Sequence, residues 1–224
     1  MKTLTQFVRD ARGVAAVEFI MVATVLIMLC FGGFDFGRFV VSAQRVEAVS
    51  YNLAQMLSQT AVSAAAVDNG DGVVSDATIA WYENSAMVIF PEALADSFAQ
   101  QTPWTTILSV NMTSLKFVPN STTCGSSCTY TPKVVWTTGN RPCNTTFTKV
   151  ADANQASPTT LPTDIYGPSP EIVVDVTYTF KPTVGATWLP TMTMSRTTYM
   201  APRNVAVVES SAGSKLAPNC SGVL

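Results

Sequence analysis

An apolar run from Val14 to Phe34 carries one charged residue, Glu18, and constrains this chain more than any other feature. Its length matches the roughly 20 residues that a helix needs to cross a bilayer. Lys2, Arg9 and Arg12 precede the run, while Asp35 and Arg38 close it. A basic flank ahead of a membrane segment keeps that end in the cytoplasm, so the residues beyond the segment are expected to be exported. An ionised carboxylate deep in hydrocarbon costs about 3 kcal/mol or more, which makes Glu18 a candidate functional residue.

The helical pattern continues beyond the membrane boundary. Val46, Val49, Leu53 and Met56/Leu57 recur at spacings of three and four, the mark of a helix with one buried face. One helix is expected from near Val14 to near Ser58, roughly 65–70 Å long at 1.5 Å per residue. Gly32-Gly33 weakens it locally but is tolerated in a membrane. The chain divides into a short basic leader (residues 1–13), a membrane segment (14–40) continuing as helix to about 60, and an exported domain (61–224). A charged content of only 12%, against about 25% in ordinary domains, suits a membrane segment joined to a Thr/Ser/Asn-rich exported part.

Ser75 is a good N-cap for a second helix, with Asp76 in its first turn and a stripe of Ile79, Tyr82, Ala86 and Ile89/Phe90. Pro91 interrupts that helix, and Ala93 to Gln101 supplies another turn or two before Pro103. Strands are expected at Thr106–Val118, Tyr130–Thr138, Ile172–Phe180 and Thr191–Met200. Leu108, Val110 and Met112 share one parity, whereas Leu115 and Phe117 share the other, which implies a β-bulge near Thr113-Ser114. In the third strand Ile172, Val174, Val176, Tyr178 and Phe180 form an apolar face. Glu171, Asp175, Thr177, Thr179 and Lys181 form the opposite, solvated face, with Val173 an exception. The stretch from Gly139 to Pro170 is long for a loop in a compact domain. It is either partly structured and held by Cys143, or a surface insertion. After Ser210 the tail is expected to be mobile unless Cys220 pins it. The expected fold class is α+β: a long N-terminal helix, a short second helix and an antiparallel sheet of about four strands.

Several functions are disfavoured by residue content. With no histidine, Ser-His-Asp and Cys-His nucleophile systems and His-ligated zinc are absent. A net charge of -2 with scattered basic residues gives no reason to expect nucleic acid as a partner. Glu171 and Asp175, and the group Asp68, Asp71 and Asp76, are candidate acids for a membrane-tethered enzyme, but each is explained as a solvated face or a turn. The chain is therefore read as non-enzymatic, with no catalytic, cofactor-binding or metal residues. Asp68-Asn69-Gly70-Asp71-Gly72 resembles a calcium loop superficially. With Gly72 at the sixth position, Val67 and Thr78 fall where Asp and Glu are required, so it is read as a turn. Cys30 is taken as a lone buried thiol. Cys124, Cys128, Cys143 and Cys220 lie in the exported part and are expected to form two disulfides. Three pairings exist; Cys124–Cys128 with Cys143–Cys220 is preferred, because the first closes a small Gly/Ser loop and the second ties down the tail.

Gly13-Val14-Ala15-Ala16-Val17-Glu18-Phe19, followed by Phe31-Gly32-Gly33-Phe34-Asp35-Phe36-Gly37-Arg38, resembles the N-terminal segment of TadE-like and TadG-like proteins. These are minor pilins, or pseudopilins, of the tight adherence (Flp) pilus, within the type IV filament superfamily. The strongest likeness spans roughly Ala11 to Gln59. Many relatives have proline near the position of Thr24, and major Flp pilins have tyrosine where Phe19 stands. The resemblance implies cleavage by a prepilin peptidase between Gly13 and Val14. It further implies that Glu18 pairs with the new Val14 amino group of a neighbouring subunit, an arrangement that offsets much of the cost of two buried charges. Gly13, Val14, Glu18 and Phe19 would form the processing site, and Val14 and Glu18 the assembly contact. The implied partners are the peptidase, other Tad pilins, the inner-membrane assembly platform and lipid. The implied location is the inner membrane, with the N-terminus cytoplasmic and the domain periplasmic or extracellular, and with entry into the pilus open. The rival readings are a secreted protein cut after Val41-Ser42-Ala43 and a single-pass adhesin without a filament role.

Overall fold

The computed structural model describes residues 11–68, 70–121, 128–139, 141–155, 157–184, 186 and 189–223, with side chains from residue 15 onward. One helix, α1, runs without interruption from Ala11 to Ser58, passing through Gly32-Gly33. Two glycines cost a helix about 1 kcal/mol each, which a helix of this length absorbs. Beyond it come β1 (Gly72–Val74), α2 (Asp76–Ile89), α3 (Pro91–Gln100) and the single turn α4 (Trp104–Ile107). The remaining elements are β2 (Leu108–Pro119), β3 (Tyr130–Thr137), β4 (Thr148–Val150), β5 (Thr160–Pro162), β6 (Glu171–Phe180), β7 (Met192–Met200) and β8 (Val208–Ser210). The architecture is α+β, as the sequence pattern indicates. By internal contacts the chain divides into two units. Met1–Val41 with Lys181–Met192 forms the first, and Ser42–Phe180 with Thr193–Leu224 the second.

The second unit is built on an antiparallel sheet in the order β3-β2-β6-β7. The register of β2 against β3 shifts between Ser114 and Leu115, where the change in apolar parity requires a bulge. The even-numbered face of β6 is buried from Ile172 to Phe180. Tyr178 packs its ring 4.7 Å from that of Phe90, between α2 and α3. The last four turns of α1 supply Val46, Val49, Leu53, Ala54 and Leu57 to the core, all fully buried. Their three- and four-residue spacing keeps them on one side of the helix. The C-terminal end of α1 is satisfied from elsewhere in the chain: the Arg203 N–H donates to the Ser58 carbonyl at 2.9 Å. Helix α2 begins as expected, with the Thr78 N–H donating to Ser75 Oγ at 3.2 Å.

The odd-numbered face of β6 corrects the sequence reading. Asp175 is only 1% exposed and Glu171 is half-buried, so neither lies on a solvated face. The cover is the 139–170 connection, which contains the parallel pair β4–β5 and a 3-10 turn at Thr163–Ile165. Leu161 joins Leu115, Phe117, Val134, Val173 and Cys220 in a second small core. This explains Val173, the apolar exception, and the reversed parity of Leu115 and Phe117. Both faces of the central strands are buried, so alternation signals two cores of unequal polarity.

Arg141 anchors this cover. Its guanidinium is fully buried and donates to both carboxylate oxygens of Asp175, at 3.0 and 3.1 Å. It donates also to the Thr160 carbonyl at 3.3 Å, and Thr197 Oγ1 donates to Asp175 at 2.6 Å. A buried pair of this kind is tolerable because each guanidinium nitrogen donates and both carboxylate oxygens accept. Two residues further on, Cys143 is bonded to Cys220 with Cα atoms 5.4 Å apart. The tail is held accordingly. Cys220 N–H donates to the Val135 carbonyl at 2.7 Å, and Asp76 accepts from Ser214 and from the Lys215 N–H. These hydrogen bonds hold the Asp76 carboxyl below its ordinary range.

Candidate processing and assembly segment

Residues Gly13 and Val14 lie within the first turns of α1, so the expected cut position is part of the continuous helix. Glu18 comes one turn later, the spacing that puts positions 14 and 18 on one side of a helix. Its side chain is exposed, as are its flanking apolar neighbours Val17 and Phe19, at 59% and 73%. Large apolar side chains from Val17 to Phe36 share this exposure, on every side of the helix. A helix apolar all round and uncovered by its own chain suits lipid or other copies of itself. The segment is long and apolar enough to cross a membrane. Thr24, where relatives have proline, turns its hydroxyl back to the Ile20 carbonyl at 2.8 Å, which satisfies it without a partner helix. Cys30 is free but exposed. The expectation of a buried thiol fails because nothing in the described chain packs on this part of α1.

At the outer end of the apolar run, Asp35 is 5% exposed although it stands between exposed Phe34 and Phe36. Its two carboxylate oxygens accept the N–H groups of Thr183 and Val184, at 3.0 and 3.1 Å. Arg38, one turn on, donates to the Thr183 hydroxyl. In the sequence Asp35 and Arg38 mark only the end of the apolar run. Nothing in the 181–192 sequence announces that it returns to them.

Of the other candidate acids, Asp68 and Asp71 lie near Glu209, and Asp76 is engaged elsewhere. Asp68 is exposed and lies 4.0 Å from the Lys116 amine, Asp76 binds the tail, and Asp71 is buried against Glu209. Glu209 accepts the Val67 N–H at 3.0 Å, and burial, with Asp71 and Asp68 nearby, raises its pKa. Among the described residues no group of three or more His, Cys, Asp or Glu is arranged to hold a metal. Cys128 is disulfide-bonded; Cys124, its expected partner, lies outside the described residues, as do the Met1–Asp10 part of the leader and Asn69 of the turn.

Residues 13–55 match the family model described as TadE-like protein. That segment is similar to TadE-like proteins. The match covers the expected cut, Glu18, the exposed apolar stretch and the buried stripe as far as Leu53, and it suggests involvement in the Tad pilus. No curated protein and no solved structure matches the chain. The matched segment thus coincides with the one candidate membrane-spanning helix among the described residues.

Proposed function

We propose that this chain is a minor pilin or pseudopilin that primes, caps or supports assembly of a Tad pilus, with an assembly role and no catalytic one. The observation that carries the reading is Glu18, the single charge between Val14 and Phe34, exposed on a helix whose apolar neighbours are exposed as well. In a bilayer such a carboxylate needs a positive partner. Cleavage after Gly13 by a prepilin peptidase would create one, the amino group of Val14 on a neighbouring subunit. Pairing would then fix the axial register between subunits as they leave the inner membrane, with the domain outside the cytoplasm. Other Tad pilins and the assembly platform are the partners this reading requires.

Mass spectrometry of the native N-terminus tests it. The expected mature chain begins at Val14, and Glu18→Ala is expected to insert normally while losing maturation or pilus assembly. A native chain that retains Met1, or one that begins at Gln44 having shed the apolar run, overturns the proposal.

A further inference from the structure

We propose that the described residues of the β6–β7 connection, Lys181 to Val184 and Leu189 to Met192, form a lipid-contacting foot, clamped to α1 by Asp35 and resting in the outer headgroup region of the bilayer. The inference rests on the membrane-anchor reading of α1 and goes beyond it. The connection joins β6 to β7 but groups with the first part of α1, not with the sheet. Asp35 immediately succeeds Phe34, the end of the uncharged apolar run, so a segment bound to Asp35 sits where hydrocarbon gives way to headgroups. The clamp is made of two charge-assisted bonds from backbone N–H groups to one carboxylate, stronger than bonds between neutral groups. It also covers the acid, which leaves the end of the span more apolar than its sequence implies. The loop presents Val184 and Leu189, 43% and 49% exposed. From Pro182 to Met192 it has no charged residue, and exposed Lys181 stands at its start. Apolar side chains beside one cation suit the acyl–phosphate boundary, where the former bury and the latter reaches phosphate. Asp35, to which the loop is bonded, lies between exposed Phe34 and Phe36 at the end of an apolar run that suits hydrocarbon, which is why lipid is favoured over a second copy.

Site-directed spin labelling of the full chain in phospholipid nanodiscs tests this. The free Cys30 reports on the span. In a Cys30→Ala background, Leu189→Cys reports on the foot and Thr159→Cys on an exposed loop of the other unit. The expected result is a Cys30 label reached by oxygen and shielded from a water-soluble nickel chelate. The Leu189 label should share that bias at shallower depth, and the Thr159 label should be open to the chelate. Adding Asp35→Ala should raise chelate access at position 189 and leave position 30 unchanged. A Leu189 label as aqueous as that at 159, with Cys30 still deep, overturns the foot and spares the anchor. A Leu189 label shielded from both probes points to a protein partner and also overturns it. An aqueous Cys30 label removes the anchor and the foot together.

Discussion

The stretch of α1 before Val41 and the body beyond it use burial in opposite ways. In the first, apolar side chains such as Phe19, Leu26 and Phe34 are 57–73% exposed, and the lone acid Glu18 is exposed beside them. In the second, Val46, Val49, Leu53 and Leu57 of the same helix are fully buried, and so are Arg141 and Asp175. One region therefore requires surroundings that its own chain does not supply, whereas the other supplies them down to the counter-ion of a buried guanidinium. Apolar content alone does not separate the two. What separates them is the distribution: all round the helix in the first case, a stripe in the second.

The sharpest way to break this contrast is to leave a buried charge alone. Arg141→Met is expected to cost about 3–5 kcal/mol, because Asp175 keeps its desolvation and loses its bidentate partner. Urea unfolding of the full chain in detergent, followed by the fluorescence of buried Trp136, would measure it. Pairing Arg141→Met with Asp175→Leu should recover most of the loss. If the single variant unfolds like the parent, the pair does not hold the 139–170 cover. A smaller effect distinguishes the halves of α1 directly. Leu53→Ala is expected to cost about 2–5 kcal/mol of domain stability, while Leu26→Ala, at a side chain 59% exposed, should leave the same unfolding curve in place. Equal shifts for the two would mean that the apolar stretch is part of the domain core.

Much of this contrast could be read from residues alone. Glu18 within its apolar run, the 46–49–53–57 stripe, the Ser75 cap and the parity change at Ser114 each depend on local spacing, and local spacing is what a sequence displays. The second core could not be read so easily. Asp175 and Glu171 alternate with Val174 and Ile172 as a solvated face does, and only the cover formed by residues 139–170 makes that face an interior. Arg141 gave no signal, since a buried arginine differs from a surface one only by its partner across 34 residues. The return of 181–192 to Asp35 was hidden for the same reason: its contacts are backbone N–H groups, which every residue but proline has. The Cys143–Cys220 bond, spanning 77 residues, is the one preferred from sequence because it ties down the tail, while the hydrogen bond of that tail to Val135 of β3 could not be read there.

The smallest effect tests how dry the covered face is. Glu171 stands at the start of β6 under the cover, and its burial pushes its pKa up to about 7 from 4.5. A carboxyl that holds its proton more tightly when folded contributes stability at low pH and loses it as the pH rises from about 4.5 through 7, because the unfolded chain ionises first. The parent should therefore lose stability across that window from this group. Glu171→Gln removes the titration. It is expected to match the parent at pH 4.5 and to exceed it by about 1 kcal/mol at pH 8, a value reduced for partial solvent screening. Thermal unfolding of both proteins at the two pH values gives the comparison. An advantage that is the same at both would show that Glu171 ionises freely. The cover over β6 would then be open to water at its edge, and the second region would resemble the first more closely than the buried Arg141–Asp175 pair implies.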